Sequence, residues 1–149
     1  VVERHQEAAR RKSVRVDVEN VEPAARLAAE RDGLVQVLDN LVGNAIKFNR
    51  TGGSVRLSVQ PGPAGFVKLE VADTGIGVAP EEQHRIFERF YRGRGAAGTP
   101  GAGIGLATVK NIVQRHGGAL ELESSVGQGT LIRILWPRAQ APSAQPTAV

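Results

Sequence analysis

The segment VRLSVQPGPAGFVKLEVADTGIG, residues 55–77, contains the clearest structural pattern in the chain. Valine and leucine alternate with other residues on both sides of the Pro-, Gly- and Ala-containing loop 61–65. This alternation is typical of two half-buried strands joined as a hairpin with a five-residue loop. The second strand ends at Asp73, which leads into Thr74-Gly75-Ile76-Gly77. Because hairpins exclude a doubly wound parallel sheet, the segment predicts an α+β fold.

The residues before the hairpin predict two helices and a strand. Residues 1–12 have the pattern of the end of a helix, and residues 13–18 alternate as a strand does. A longer helix, with Asp32 as its N-cap and an apolar stripe along one side, is predicted to run to Phe48.

The residues after the hairpin predict a similar set of elements. Pro80 suits the first turn of a helix that ends near Tyr91. A glycine-rich mobile loop over 93–105 is followed by a helix to His116 and a second hairpin over 120–136. We therefore predict helices packed on one face of a mostly antiparallel sheet.

Composition narrows the possible functions. A chain of 149 residues suits one domain, and the absence of cysteine excludes disulfides and thiolate metal sites. The net charge is +4, but the basic residues are scattered and only 4% of residues are aromatic, so we expect no nucleic-acid partner. No apolar run approaches the roughly 20 residues that span a bilayer, so we expect no membrane contact by this fragment.

Three polar side chains on the second helix are candidates for binding phosphate and metal. Asn40, Asn44 and Lys47 are spaced by four and three residues, which places them on one stripe. Such a stripe is often only the solvent-exposed side of a helix. An amide oxygen is nevertheless a suitable ligand for Mg²⁺ when phosphates supply the remaining charge, and a lysine can meet phosphate.

Asp73 is a candidate for base recognition. An Asp-x-Gly sequence also forms simple turns, so the local sequence leaves both interpretations open. A carboxylate in a pocket would accept a hydrogen bond from the exocyclic amine of adenine, which guanine cannot offer at that position.

The run Gly101-Ala102-Gly103-Ile104-Gly105-Leu106 immediately precedes a predicted helix, so its amides and the helix N-terminus can face phosphate. It differs from the dinucleotide fingerprint, because Leu106 follows the third glycine and no parallel βαβ unit precedes it. The chain also lacks Gly-Lys-Ser/Thr and Asp-Phe-Gly, so P-loop and protein-kinase sites are excluded.

Four segments together resemble the boxes of sensor histidine kinases, of the GHKL superfamily. In order, they are the N box at 40–48, the first glycine box at 73–77, the F box at 86–92 and the second glycine box at 101–106. The similarity continues through His116-Gly117-Gly118 and residues 124–130. It implies a Bergerat fold, in which a mixed sheet carries helices on one face, with ATP and Mg²⁺ bound.

The resemblance implies a role for residues at matching positions. Asn44 would ligate Mg²⁺ and Asn40 would support it, while Lys47 would contact phosphate. Asp73 would bind adenine and Phe48 would flank the base.

The glycine boxes and the F box are implied to shape the pocket and its lid. The residues concerned in the glycine boxes are Gly75, Gly77, Gly101, Gly103, Gly105 and Leu106. Phe87 and Phe90 would anchor the lid, and Arg92 or Arg94 would reach the terminal phosphate. Ala102 departs from the family, which often has Thr or Ser there, and this puts a hydroxyl contact to phosphate in doubt.

The residue at position 40 separates kinases from hydrolases of the same superfamily. Gyrase-like, Hsp90-like and mismatch-repair ATPases carry a glutamate four residues before the asparagine that matches Asn44, and this carboxylate can activate water. The amide of Asn40 cannot, so the resemblance favours phosphoryl transfer to a histidine. A serine kinase of the anti-sigma type and a non-catalytic nucleotide-binding module remain alternatives.

The acceptor histidine is expected outside this chain. None of His5, His84 and His116 is followed by the Asp or Glu, then Thr or Asn and Pro, that typically follow the acceptor in this family. We therefore expect a fragment in which residues 1–12 are a linker helix from an upstream dimerisation domain and 13–137 the ATP-binding domain.

The remaining expectations concern the tail and the surroundings of the fragment. Residues 138–149, rich in Ala, Pro, Ser and Gln, are expected to form a disordered tail. The partners would be the histidine-bearing domain of the same protein and a response regulator. The location would be cytoplasmic, as part of a membrane-bound sensor.

Overall fold

The computed structural model describes residues 2–19, 31–63, 65–93 and 105–138. These residues form three α-helices, a short 3₁₀ helix and five strands. In chain order they are α1 (Val2–Arg11), β1 (Arg15–Glu19), α2 (Arg31–Lys47), β2 (Ser54–Pro61), β3 (Phe66–Asp73), the 3₁₀ helix Pro80–Glu82, α3 (Gly105–Arg115), β4 (Ala119–Ser125) and β5 (Gly129–Pro137).

The five strands form one mixed sheet in the order β1-β2-β3-β5-β4. Only β1 and β2 are parallel; the β2–β3, β3–β5 and β4–β5 pairs are antiparallel. Both predicted hairpins are therefore present, and the predicted α+β class is confirmed. The pairing of β3 with β5 sets Asp73 opposite Thr130 at one end of the sheet.

The core lies between the helices and one face of the sheet. Because side chains alternate across a strand, one set of β2, β3 and β5 residues points toward α2 and α3. The buried members of that set are Val55, Leu57, Val67, Leu69, Val71, Ile132, Ile134 and Trp136. The opposite face carries polar groups, including Arg133, which pairs with Glu70 and Glu121. Helices on one face were predicted, and the structure confirms this arrangement.

Helix α1 packs into the same core. Ala9 is only 5% exposed, and Val2 packs against the buried cluster. On the side facing α2, Arg4 and His5 both contact the carboxylate of Asp39, at 2.7 and 3.1 Å. Helix α1 thus packs against this domain, and both its assignment as a linker and its connection to an upstream domain stay predictions.

The predicted helix from Pro80 to Tyr91 is wrong. After the 3₁₀ helix the segment continues as turns, in which the amides of Arg85, Glu88 and Tyr91 each bond the carbonyl three residues earlier. Phe90, expected on an apolar face, is 67% exposed and has a φ of 66°.

Two smaller predictions concern helix ends. Asp32 lies within α2, which includes Arg31, so it is not the N-cap. His116, predicted as the last residue of the following helix, lies directly after α3, which ends at Arg115. It has a structural role: its Nδ1 donates to the Ile112 carbonyl at 2.8 Å, and its ring lies 5.1 Å from that of Trp136.

The expected mobile loop falls largely on residues 94–104, and the expected tail on 139–149; both lie outside the described residues. Among the helices that the structure describes, none has the length and apolarity needed to cross a membrane.

Candidate functional site

A cavity of about 360 Å³ lies where the predicted site residues converge. Its walls come from α2, the end of β3, the segment 76–93, the start of α3 and the start of β5. The predicted residues that line it are Asn40, Asn44, Lys47, Phe48, Asp73, Gly77, Arg92, Gly105 and Leu106. Gly75 lies behind this wall, and Gly101 and Gly103 lie outside the described residues.

Asp73 presents one carboxylate oxygen to the protein. The amides of Gly75 and Thr130 both donate to Oδ1, at 2.8 and 3.2 Å. Within the described part of the chain, Oδ2 has no hydrogen-bond partner. The second oxygen is therefore available as an acceptor for a ligand.

The surroundings of Asp73 are mostly apolar. Ala45, Val71 and Ile132 line the same cavity. Burial raises the pKa of Asp73 above its ordinary value, although the two backbone hydrogen bonds act in the opposite direction. A single acceptor among apolar side chains suits a flat ring that carries an amino group.

Further polar groups of the cavity come from α2 and the start of α3. A Cβ placed on Gly105 would lie 3.4 Å from Asn40 Oδ1 and 3.8 Å from Asn44 Nδ2, so both amides face the first residue of α3. The first amides of a helix lack partners within that helix and favour anions. Lys47, whose Nζ lies 5.5 Å from the Phe48 ring centroid, adds a positive charge. These groups can accommodate phosphate.

Close backbone contacts require glycine at two positions of the first glycine box. A Cβ on Gly75 would lie 2.5 Å from the Phe48 carbonyl oxygen, and one on Gly77 would lie 2.0 Å from that of Ser125. Gly77 also has a φ of 71°, which L-residues rarely adopt. The glycines thus allow the turn after Asp73 to pack against α2 and the β4–β5 hairpin.

Among the cavity residues that were not predicted as site residues, three have polar side chains. Thr130 lines it and donates its amide to Asp73, and the spatial pairing of β3 with β5 is what brings the two together. Glu82 and Tyr91 line the opposite wall, where the Tyr91 hydroxyl donates to Glu82 at 3.1 Å. Glu82 ends the 3₁₀ helix and Tyr91 follows the turns after it, in a segment for which the sequence predicted one continuous helix.

Comparison with known proteins identifies similar chains. The family model described as histidine kinase-, DNA gyrase B-, and HSP90-like ATPase matches residues 29–140. The signal transduction histidine-protein kinase/phosphatase MprB of Mycobacterium ulcerans is 39% identical over 155 residues, which cover 99% of this chain and 30% of that protein. The chain thus spans less than a third of the length of this curated relative.

Two solved structures extend the similarity to the fold. A mycobacterial sensor histidine kinase MprB structure matches with a TM-score of 0.79 and 35% identity, covering 94% of this chain and 95% of that one. A structure of full-length ShkA in complex with AMPPNP matches with a TM-score of 0.81 and 36% identity, covering 93% of this chain and 28% of that one.

Proposed function

The chain belongs to the histidine kinase-, DNA gyrase B- and HSP90-like ATPase family, and we propose that it transfers the γ-phosphoryl group of ATP to a histidine on a separate dimerisation domain. The observation that carries this proposal is the neutral amide of Asn40 in the wall of the cavity. Hydrolytic members are expected to have a glutamate there. Without a general base at this position, ATP would be held for an incoming nucleophile and hydrolysed only slowly.

The adenine base would bind at Asp73. The free Oδ2 would accept a hydrogen bond from the exocyclic amine, while Val71 and Ile132, which line the cavity, would contact the ring. A base with a carbonyl at that position would set two acceptors against each other and bind poorly. Phe48 would lie beside the base.

The triphosphate would bind between α2 and α3. Asn44 would ligate Mg²⁺ through its amide oxygen, supported by Asn40, and Lys47 would contact a phosphate oxygen. This donor set suits an ion whose other ligands are phosphates and water. Backbone amides at Gly105 and Leu106 would face the phosphates at the start of α3, and Arg92 would approach the terminal one.

In the transfer step, an imidazole nitrogen of the acceptor would attack the γ-phosphorus. The bond between that phosphorus and the bridging oxygen of the β-phosphate breaks, and ADP leaves. The residues of this chain contribute by holding the phosphates in line and by offsetting their charge.

A mixing assay tests the proposal. Labelled ATP and this domain are combined with a separate dimerisation domain that carries the acceptor histidine. Transfer is expected, and Asn44→Ala or Asp73→Asn should reduce its rate by about a hundredfold or more. The first substitution removes the proposed Mg²⁺ ligand, and the second removes the proposed acceptor for the adenine amine. Asn111→Ala is the matched control, since Asn111 is exposed on α3, and it should leave transfer unchanged.

The chemistry of the label separates the alternatives. Phosphohistidine is lost in acid, whereas an acid-stable label would indicate a serine acceptor. Saturable ATP binding without transfer would support a non-catalytic module. Unchanged transfer in Asn44→Ala or Asp73→Asn would refute the site assignment.

The proposal extends to the parent protein. The dimerisation domain would belong to the same chain, and a response regulator would receive the phosphoryl group from its histidine. This domain would act on the cytoplasmic side of a membrane-bound sensor.

A further inference from the structure

A buried amide side chain lies directly behind the candidate base site. Asn49, two residues beyond the end of α2, is 3% exposed. It does not line the cavity, and the phosphoryl-transfer step does not use it. A buried polar side chain is costly unless its hydrogen bonds are made, so the partners of Asn49 indicate its role.

The side chain of Asn49 joins three segments. Its Nδ2 donates to the Ser54 carbonyl at 3.0 Å, at the start of β2. Its Oδ1 accepts from the Arg50 amide at 2.9 Å and from the Thr74 hydroxyl at 3.3 Å. Thr74 directly follows Asp73, so the amide connects the end of α2 to the residue after the base-binding carboxylate.

Thr74 is held on a second side by β2. Its hydroxyl accepts a hydrogen bond from the Ser54 amide at 2.8 Å, and its own amide donates to the Ser54 carbonyl at 3.1 Å. Asn49, Ser54 and Thr74 therefore form a closed set of hydrogen bonds, which we call the Asn49 cluster.

The packing around the Asn49 cluster leaves little room for movement. A Cβ on Gly53 would lie 2.1 Å from Asn49 Oδ1 and 2.7 Å from Thr74 Oγ1. On the other side, Gly75 approaches the Phe48 carbonyl, which also accepts a hydrogen bond from the Ile76 amide at 3.1 Å. Glycine at positions 53 and 75 thus lets the cluster form.

We propose that Asn49 is a positioning residue for base recognition. Through the hydroxyl of Thr74, Asn49 fixes the Asp73 carboxylate relative to Lys47 and Phe48, the two residues that immediately precede Asn49 in the chain. This inference rests on the proposed function, since it assumes that Asp73 binds the adenine amine. Without the amide, the Thr74 hydroxyl loses its acceptor at position 49 and the turn is held by the remaining bonds to Ser54 and Phe48.

Two nucleotides distinguish positioning from general stability. Binding of ATP and of purine riboside triphosphate, which lacks the exocyclic amine, is measured by calorimetry with Mg²⁺ present. For Asn49→Ala, the dissociation constant for ATP is expected to rise about tenfold, while that for the analogue changes by less than about twofold. Thr74→Val, which keeps the shape of the side chain, should reduce the same preference and serves if Asn49→Ala does not fold.

Ser58→Ala provides the matched control. Ser58 is a buried polar residue of the same strand as Ser54 and is 6% exposed. Its loss can lower the melting temperature but should leave the preference for ATP intact.

The outcomes separate the two proposals. If wild type prefers ATP and both Asn49→Ala and Thr74→Val keep that preference, Asn49 has only a structural role and the inference is wrong. If wild type shows no preference, base recognition by Asp73 is wrong and the inference fails with it.

Discussion

At the scale of single residues, Asp73 combines two opposing requirements. In the proposed site its carboxylate would act as an ionised acceptor, yet burial raises its pKa. For a carboxyl group with a raised pKa in the folded state, the favourable contribution to stability is present below the unfolded pKa and is lost as pH rises through the folded pKa. At neutral pH the ionised group therefore makes the free domain less stable.

Asp73→Asn should consequently raise the stability of the free domain while it weakens ATP binding. Without nucleotide, the variant is expected to melt at a higher temperature than wild type at pH 7, because a neutral amide replaces a partly buried charge. With ATP, its affinity should fall by about a hundredfold, since an amide NH₂ would face the adenine amine.

The measurement is thermal unfolding at pH 7 and at pH 4, with and without ATP. The advantage of the variant in the absence of ATP should shrink at pH 4, where wild-type Asp73 is more protonated. A variant that melts below wild type at both values would contradict the assigned effect of burial.

The residue scale also shows how far sequence reasoning reaches. Asn40, Asn44 and Lys47 could be placed on one stripe because helical spacing is local information. Thr130 could not be linked to Asp73, since their contact depends on β5 pairing with β3 across 57 positions. The role of Asn49 likewise depends on how β2 and the turn after β3 meet.

At the scale of elements, hairpins were predictable and the F-box segment was not. Strand alternation identified the β2–β3 and β4–β5 pairs directly. The segment from Pro80 to Tyr91 has helical spacing, but a helix of this length depends on packing of its apolar face. In the structure Phe90 is exposed and Ile86 and Phe87 are only half-buried, so that packing is weak.

The β4–β5 turn allows a prediction at this scale. Gly127 and Gly129 both have positive φ, at 78° and 119°. A Cβ on Gly127 meets nothing within 4 Å, whereas one on Gly129 would lie 1.9 Å from the Asp73 carbonyl oxygen. Gly129→Ala is therefore expected to lower the free energy of unfolding by about 3 kcal/mol or more, and Gly127→Ala by only about 1 kcal/mol.

Denaturant unfolding and ATP titration of the two variants check this prediction. Gly129→Ala should also weaken ATP binding. The added methyl group would displace the backbone at position 129 and with it Thr130, whose amide donates a hydrogen bond to Asp73. Gly127→Ala is the control for backbone strain alone. Equal losses of stability in the two variants would mean that the close approach to Asp73 is unimportant.

At the scale of the whole molecule, β5 extends from the proposed nucleotide site to a distant tryptophan that can report unfolding. Thr130 lies at the cavity, while Trp136 lies six residues further along β5, about 20 Å away. Trp136 is the only tryptophan in the sequence and is fully buried. Its ring packs against that of His116, which follows α3. Its fluorescence should therefore report global unfolding without direct interference from a bound nucleotide.

This reporter can test whether α1 is part of the cooperative domain. Ala9 faces the core at 5% exposure, whereas the preceding Ala8 is exposed. Ala9→Glu is expected to lower the free energy of unfolding by about 2–4 kcal/mol, because it forces a larger, ionised side chain into a packed site. Ala8→Glu carries the same change of helix propensity and charge and should stay within about 0.5 kcal/mol of wild type.

Urea unfolding followed by Trp136 fluorescence measures both variants. A lower midpoint for Ala9→Glu alone would show that α1 unfolds together with the sheet, since the substitution lies on α1 and the reporter on β5. Identical midpoints for the two variants would instead mean that α1 detaches without cost and acts only as a connection. In that case the contacts of Arg4 and His5 with Asp39 would be too weak to hold α1 against α2.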